Sequence, residues 1–347
     1  MLLVPAGARA EPTYAEHAAA LIQSYVEADR FSGAVLVAHE GQVLLRQGFG
    51  FADRRRRTPN MPETQFRIGS ITKQFTAAAI LQLVERGLLA LDDPVTLHYP
   101  AAPPTWSKVT LRHLLAMRSG IVSLSDTPGY WEHWSKARRT PEESIDLIRA
   151  APLRFEPGTR YEYSNSNHTI LGRVIEHVTG LSYADYLSGF IFAPLGMRDT
   201  GLDHDDLVLP KRAQGYEREG GARADATAFS MSIPYAAGSL YSTVDDLLKW
   251  DIALAEARVV GPDSLREMVT DQGGGYGLGV YVGMGVQAHS GGIAGFHAIL
   301  CRYPEDEFTV IVLANLAEAL VAWIANELTV LHFGAARAQG PLCHEAY

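Results

Sequence analysis

The chain is short of cysteine, of lysine and of long apolar runs, and each shortage excludes something. Two cysteines, Cys301 and Cys343, do not make a disulfide framework. Cys301 falls in an apolar, strand-like run and reads as a buried thiol. No apolar stretch approaches the about 20 residues that a membrane span needs. The pattern Gly-x-Ser-x-Gly occurs nowhere, so the nucleophile elbow of an α/β-hydrolase is excluded. Excess positive charge is missing too: a formal net charge of -9 argues against nucleic acid as a partner. The arginine run 54–57 is the exception, and between a strand-like stretch and "TPNMPE" it reads as a solvated turn.

What is present suffices for one large domain or two, with 347 residues of which 47% are hydrophobic. The opening "MLLVPAGARAEP" resembles the end of a secretory signal, with Ala8-Arg9-Ala10 as a small-x-small cleavage site. The expectation is an exported protein, periplasmic or extracellular, with residues 1–10 a signal remnant. Residues 16–28 have helical periodicity, and "GAVLVAHEGQVLLRQGFGFAD" reads as a hairpin turning at Glu40-Gly41. A long, largely apolar helix is predicted over 71–89. From about 90 to 230 the pattern is helices between Pro- and Gly-rich loops, with few strand signals. A helix capped by Ser242 or Thr243 follows. Strand-like runs then return in "YGLGVYV", "GVQAHSG", "FHAILCRYP" and "FTVIVLAN", before a last helix over 317–332. Strands at both ends predict an α+β fold: a mainly antiparallel sheet made by both chain ends, flanked by helices, with a mostly helical domain inserted. The division is 11–89 with 231–334 for the sheet domain, 90–230 for the insert and 335–347 for a tail.

Three short stretches carry candidate chemistry. In "QFRIGSITKQFTAAAI", Ser70 and Lys73 stand three apart at a helix start and so share one face. The partial positive charge of a helix N-terminus, like burial, disfavours a protonated lysine there. A neutral amine beside a serine is a base beside a nucleophile; the plain alternative is a surface lysine. In "YEYSNSN", Tyr163 and Asn165 form the only Tyr-x-Asn of the chain. A phenol relays protons and an amide holds a carbonyl, whereas the plain reading is an N-cap cluster beside a packing aromatic. In "AHSGGIAGFHAIL", His289, Ser290, Gly291 and Gly292 end one strand before another. Glycines there admit a substrate backbone, and their N–H groups can aim at an oxyanion.

Ser-x-x-Lys, Tyr-x-Asn and His-Ser-Gly-Gly in this order resemble the penicillin-recognising serine hydrolases. The likeness is to the branch of class C β-lactamases, D-alanyl-D-alanine carboxypeptidases, D-aminopeptidases and related esterases. It spans roughly residues 15–333, with connecting stretches such as "FEPGTRYEYSN" and "AAGSLYSTVDDLLKW". The resemblance implies a β-lactamase/transpeptidase-like fold and an acyl-enzyme on Ser70, with Lys73 and Tyr163 sharing the protons in roles left open. It implies Asn165 on the substrate carbonyl side, and the N–H groups of Ser70 and Gly292 as an oxyanion hole. Where related enzymes carry lysine or tryptophan this chain carries His289, expected to hydrogen-bond Tyr163 or a substrate carboxylate and to make turnover pH-sensitive near neutrality. The leading function is a D-alanyl carboxypeptidase or D-aminopeptidase-like peptidase. The alternatives are an esterase or weak β-lactamase, and a non-catalytic penicillin-sensing or cell-wall-binding module.

No cofactor and no metal is implied, since His168 and His177 lack the His-Glu-x-x-His spacing of a zinc site. The expected partner is a small-molecule or peptide substrate; oligomeric state is not readable. His297 is read as either cleft-lining or packed, the acidic stretch 203–206 as a solvated loop, and the aromatics of "GYWEHWS" as surface packing more than cleft border.

Overall fold

The computed structural model describes residues 13–334. The expected signal remnant at 1–10 and the tail at 335–347 lie outside the described residues.

Helix α1 (Tyr14–Glu27) opens with a capping box, the Thr13 side chain accepting from the Glu16 N–H and the Glu16 carboxylate from that of Thr13. Strands β1 (Gly33–His39) and β2 (Gln42–Phe49) form the expected hairpin around Glu40-Gly41. A smaller hairpin, β3 (Phe51–Asp53) with β4 (Thr58–Pro59), turns at the arginine run, which is largely exposed as expected. Strand β5 (Phe66–Arg67) leads into α2 (Thr72–Glu85), apolar on nearly every side and therefore buried on nearly every side. It stops short of the predicted residue 89, where the chain turns at Gly87.

The helical stretch holds α3 (Val95–His98), α4 (Leu111–Leu115), α5 (Pro141–Arg149), α6 (Asn165–Thr179) and α7 (Tyr183–Leu187), continued by a π turn into α8 (Ala193–Leu195). It also holds strands that the pattern did not announce: β6 (Gly201–Leu202), and the hairpin β7 (Tyr216–Glu219) with β8 (Ala222–Asp225). The hairpin consists mostly of charged residues around Gly220-Gly221, and its only small apolar residues are two alanines, so it offers little apolar signal to read. After β9 (Leu240–Ser242), Thr243 caps α9 (Val244–Ala255), settling the choice left by the sequence, and α10 (Pro262–Met268) follows. "YGLGVYV" becomes a strand only at β10 (Tyr281–Gly283). The chain ends with β11 (Val286–Ile293), β12 (Phe296–Tyr303), β13 (Phe308–Ala314) and α11 (Val321–Phe333).

The main sheet has the order β10-β11-β12-β13-β1-β2 and is antiparallel throughout, so the fold is the expected α+β arrangement. The first hairpin joins the C-terminal strands through β1 and β13, in register from Gly33↔Ala314 to His39↔Phe308. Alternate residues serve two cores. Val35, Val37, Ile299, Val310 and Val312 meet α1 and α11, while Ala34, Leu36, Ala298, Leu300 and Leu313 meet α2 and the helical stretch. Trp250 of α9 stacks on Phe75 of α2, with ring centroids 4.0 Å apart.

Two expectations are corrected. Cys301 is buried on β12 but disulfide-bonded rather than a free thiol; two cysteines give no spacing from which a bridge is legible. The acidic stretch is not solvated throughout, for Asp203 is 1% exposed and lies between Arg67 and Arg212. Among the described residues no helix is long and apolar enough to cross a membrane.

Candidate active site

Ser70 sits in a 3-10 turn, Gly69–Ile71, that leads straight into α2. The turn is pressed backbone to backbone against β11. A Cβ on Gly69, whose φ is +50°, would come within 2.9 Å of the Gly291 carbonyl carbon. One on Gly291 would lie 2.0 Å from the Ile68 carbonyl oxygen and 2.7 Å from the Ser70 nitrogen. Glycine at both positions is what lets the strand edge reach the serine.

Lys73, on the first turn of α2, is 0% exposed. Its Nζ lies 2.9 Å from Ser70 Oγ, 2.9 Å from Asn165 Oδ1 and 2.7 Å from the Ala237 carbonyl oxygen. Burial holds its pKa well below the ordinary lysine value. The surface-lysine reading therefore fails. Asn165 is the first residue of α6, and its backbone N–H donates to Ser123 Oγ at 3.1 Å. Ser164 stands at the N-cap without a side-chain cap bond, so the capping reading of this cluster fails as well.

The Tyr163 ring centroid is 4.9 Å from Lys73 Nζ. Among the described residues its buried hydroxyl makes no hydrogen bond. Burial raises its pKa, and the nearby Ser70 hydroxyl lowers it by less, so the group stays a phenol. Ser70, Tyr163 and Asn165, separated along the chain, thus line one cavity of about 390 Å³, with the buried Lys73 in contact with Ser70 and Asn165. Ser290 and Gly292 line it, and Gly291 lies behind the strand edge against Ser70.

His289 does not take the expected position. It is 0% exposed and its Nδ1 lies 2.6 Å from the Ser290 carbonyl, which can only accept, so the proton is on Nδ1. Nε2 then accepts from the Tyr276 hydroxyl at 3.1 Å, not from Tyr163, whose ring centroid is 6.5 Å away. Burial first, then the Lys73 charge, push its pKa down to about 3. The imidazole is neutral at physiological pH and is no cation for a substrate carboxylate.

Several residues at the site carried no readable signal. The Ala237 carbonyl precedes β9 and Ser123 comes from a distant loop; backbone acceptors and loop hydroxyls have no motif. Tyr130 and Trp131 of "GYWEHWS" border the cavity together with Phe229, so the surface-packing reading gives way to the cleft reading. His168, one turn along α6 from Asn165, is buried, and neither ring nitrogen has a hydrogen-bond partner among the described residues. His297 is packed, its Nδ1 at 2.6 Å from the Ala319 carbonyl.

The β-lactamase family model matches residues 18–331. The chain belongs to the β-lactamase family. It is accordingly a serine hydrolase of that family, with the fold of its members. A putative penicillin-binding protein, PbpX, of Bacillus subtilis is 32% identical over 84% of this chain and 72% of its own length. A D-aminopeptidase of Gluconobacter oxydans is 31% identical over 82% of this chain, which covers 55% of that relative. A solved D-stereospecific amidohydrolase from Streptomyces superposes with a TM-score of 0.77 at 28% identity, covering 91% of this chain and 98% of the other.

Proposed function

We propose that this β-lactamase-family chain hydrolyses amide or ester bonds of D-amino-acid derivatives through an acyl-enzyme on Ser70. The observation that carries the reading is the environment of Lys73 Nζ. Two of its three partners, the Asn165 and Ala237 oxygens, only accept hydrogen bonds. A neutral amine gives its two N–H to them and keeps its lone pair for the Ser70 hydroxyl. Lys73 is then the acylation base. It takes the Ser70 proton as Oγ bonds the carbonyl carbon, and Tyr163 gives its phenolic proton to the departing amine or alcohol. Tyr163 regains a proton from Lys73, and water cleaves the acyl-serine to release the acid and restore the serine. The N–H groups of Ser70 and Gly292 stabilise the oxyanion, each such donor being worth about 3 kcal/mol.

The neutral His289 bears on which D-peptide activity is meant. A D-alanyl carboxypeptidase must hold a terminal carboxylate close to the scissile bond, and no Arg or Lys among the described residues lines the cleft itself. This favours a D-aminopeptidase or amidase over the D-alanyl carboxypeptidase, and the names of the D-specific relatives support the same choice. Export to an oxidising compartment is part of the proposal, and the disulfide at Cys301 supports it.

The test is a panel of D- and L-aminoacyl 4-nitroanilides, 4-nitrophenyl esters, a chromogenic cephalosporin and a D-Ala-D-Ala peptide. Turnover of D-anilides by the wild type, and by neither Ser70→Ala nor Lys73→Met, is expected. A stable penicillin adduct on Ser70 with no turnover of any substrate would instead support the penicillin-sensing module.

A further inference from the structure

Phe229 lines the cleft and also lines a second cavity of about 350 Å³. The two are neighbours along the backbone as well. Ala294 of the second cavity follows Ile293 of the first, and Arg67 of the second precedes Ser70 by one short turn. Three cations line the second cavity: Arg67, Arg212 and Lys136.

The buried Asp203 accepts from Arg67 Nε at 2.7 Å and from Arg212 Nη1 at 2.6 Å. One carboxylate cannot neutralise two guanidiniums. The terminal nitrogens of Arg67 and Nη2 of Arg212 make no hydrogen bond among the described residues. Among the described residues Lys136 makes no salt bridge, and its loop is fixed to the facing one by Ser230 N–H on the Ser135 carbonyl and Arg139 N–H on Ser232 Oγ. The other carboxylate of the wall, Asp205, already accepts from the Ser230 hydroxyl at 2.6 Å and the Met231 N–H at 2.8 Å. The cavity therefore keeps an excess of positive charge and free N–H donors of the planar kind that match a carboxylate.

We propose that this pocket is a carboxylate subsite of the same active site, reached by the part of the substrate that passes Phe229. The proposal rests on the hydrolase reading above and names its substrates: D-aminoacyl compounds that carry a carboxylate some bonds away from the scissile carbonyl. The charge missing at His289 is supplied there, by Arg67, Arg212 and Lys136. Two sources share this chemistry, an acidic side chain and a chain terminus.

The experiment measures kcat/KM for three matched pairs on wild type, Lys136→Glu and Arg212→Gln. The pairs are the 4-nitrophenyl esters of butyrate and of glutarate, the D-Gln and D-Glu 4-nitroanilides, and D-Ala-D-Ala peptides with amidated and free C-termini. In wild type the acidic member of at least one pair is preferred by about tenfold through KM, and the preference weakens as salt rises. In both variants the ratio falls to about one. Preference for D-Glu assigns the pocket to a side chain, and preference for the free terminus assigns it to the chain end. A wild-type ratio near one in all pairs, or a ratio that both variants leave intact, overturns the subsite. If no substrate is turned over, the hydrolase reading fails by itself. Calorimetry of glutarate on Ser70→Ala, with and without Lys136→Glu, then decides the pocket. Glutarate binding that Lys136→Glu weakens supports it, and no binding, or binding indifferent to Lys136, overturns it.

Discussion

At the scale of single residues, the proposed chemistry turns on how many protons Lys73 holds. Replacing it by methionine removes the lone pair facing Ser70 at little change in volume. A fall in kcat/KM of about a thousandfold is expected, whereas Tyr163→Phe, which removes only the relay, costs about a hundredfold. Burial holds the Lys73 pKa well below the ordinary lysine value, so the proposed base loses activity on the acid side of the pH–rate profile as the amine becomes charged. His289 contributes no limb to that profile, being neutral down to about pH 3. His289→Gln is expected to leave the shape of the pH–rate curve between pH 5 and 8 as it was.

Stability is where His289 does titrate. Its pKa is about 6.5 in the unfolded chain and lower when folded, so its contribution is complete above pH 6.5 and is lost as pH falls toward 3. Over that window it steepens the loss of stability by about 1.4 kcal/mol per pH unit. Thermal melting of wild type and His289→Gln between pH 4 and 8 checks this, the variant giving the flatter slope.

At the scale of elements, the contact between β11 and the turn before Ser70 decides whether the site forms. Gly291→Ala puts a methyl 2.0 Å from the Ile68 carbonyl and must drive the strand away from the serine. It is expected to cost at least a hundredfold in kcat/KM and to lower the melting temperature. A Cβ on Gly292 meets nothing within 4 Å, so Gly292→Ala keeps the wild-type melting temperature. Much of this site was legible in advance, because Ser-x-x-Lys, Tyr-x-Asn and His-Ser-Gly-Gly are side-chain patterns fixed by spacing. What remained hidden depends on backbone placement. The Ala237 carbonyl that orients Lys73 belongs to a residue with no polar side chain, and the Tyr276 hydroxyl that claims His289 becomes its neighbour only by folding. His289 itself was misjudged because a ring's charge depends on burial, which a strand-end motif does not reveal.

At the scale of the whole molecule, buried polar contacts help tie the sheet to its helices. Asp251 of α9 accepts from Arg302 of β12 at 2.8 Å and from Thr309 of β13 at 2.6 Å. Asp251→Ala strands a largely buried guanidinium, and a loss of about 3 kcal/mol in urea unfolding is expected. The antiparallel sheet made by both chain ends was readable, since β1, β12 and β13 are apolar runs bounded by turns. The β7–β8 hairpin was not, because its strands are only four residues long and mostly charged. The Asp203 pairing also escaped the sequence: Arg67 and Arg212 reach it from segments far apart in the chain.

Mass spectrometry of the acylated protein shows whether Ser70 carries the acyl group and Lys73 activates it. After brief exposure to an activated D-aminoacyl ester and an acid quench, the adduct should map to the peptide containing Ser70. It should be absent from Ser70→Ala and form about a thousandfold more slowly in folded Lys73→Met. An adduct on another residue, or one formed at the wild-type rate without the Lys73 amine, would contradict the account.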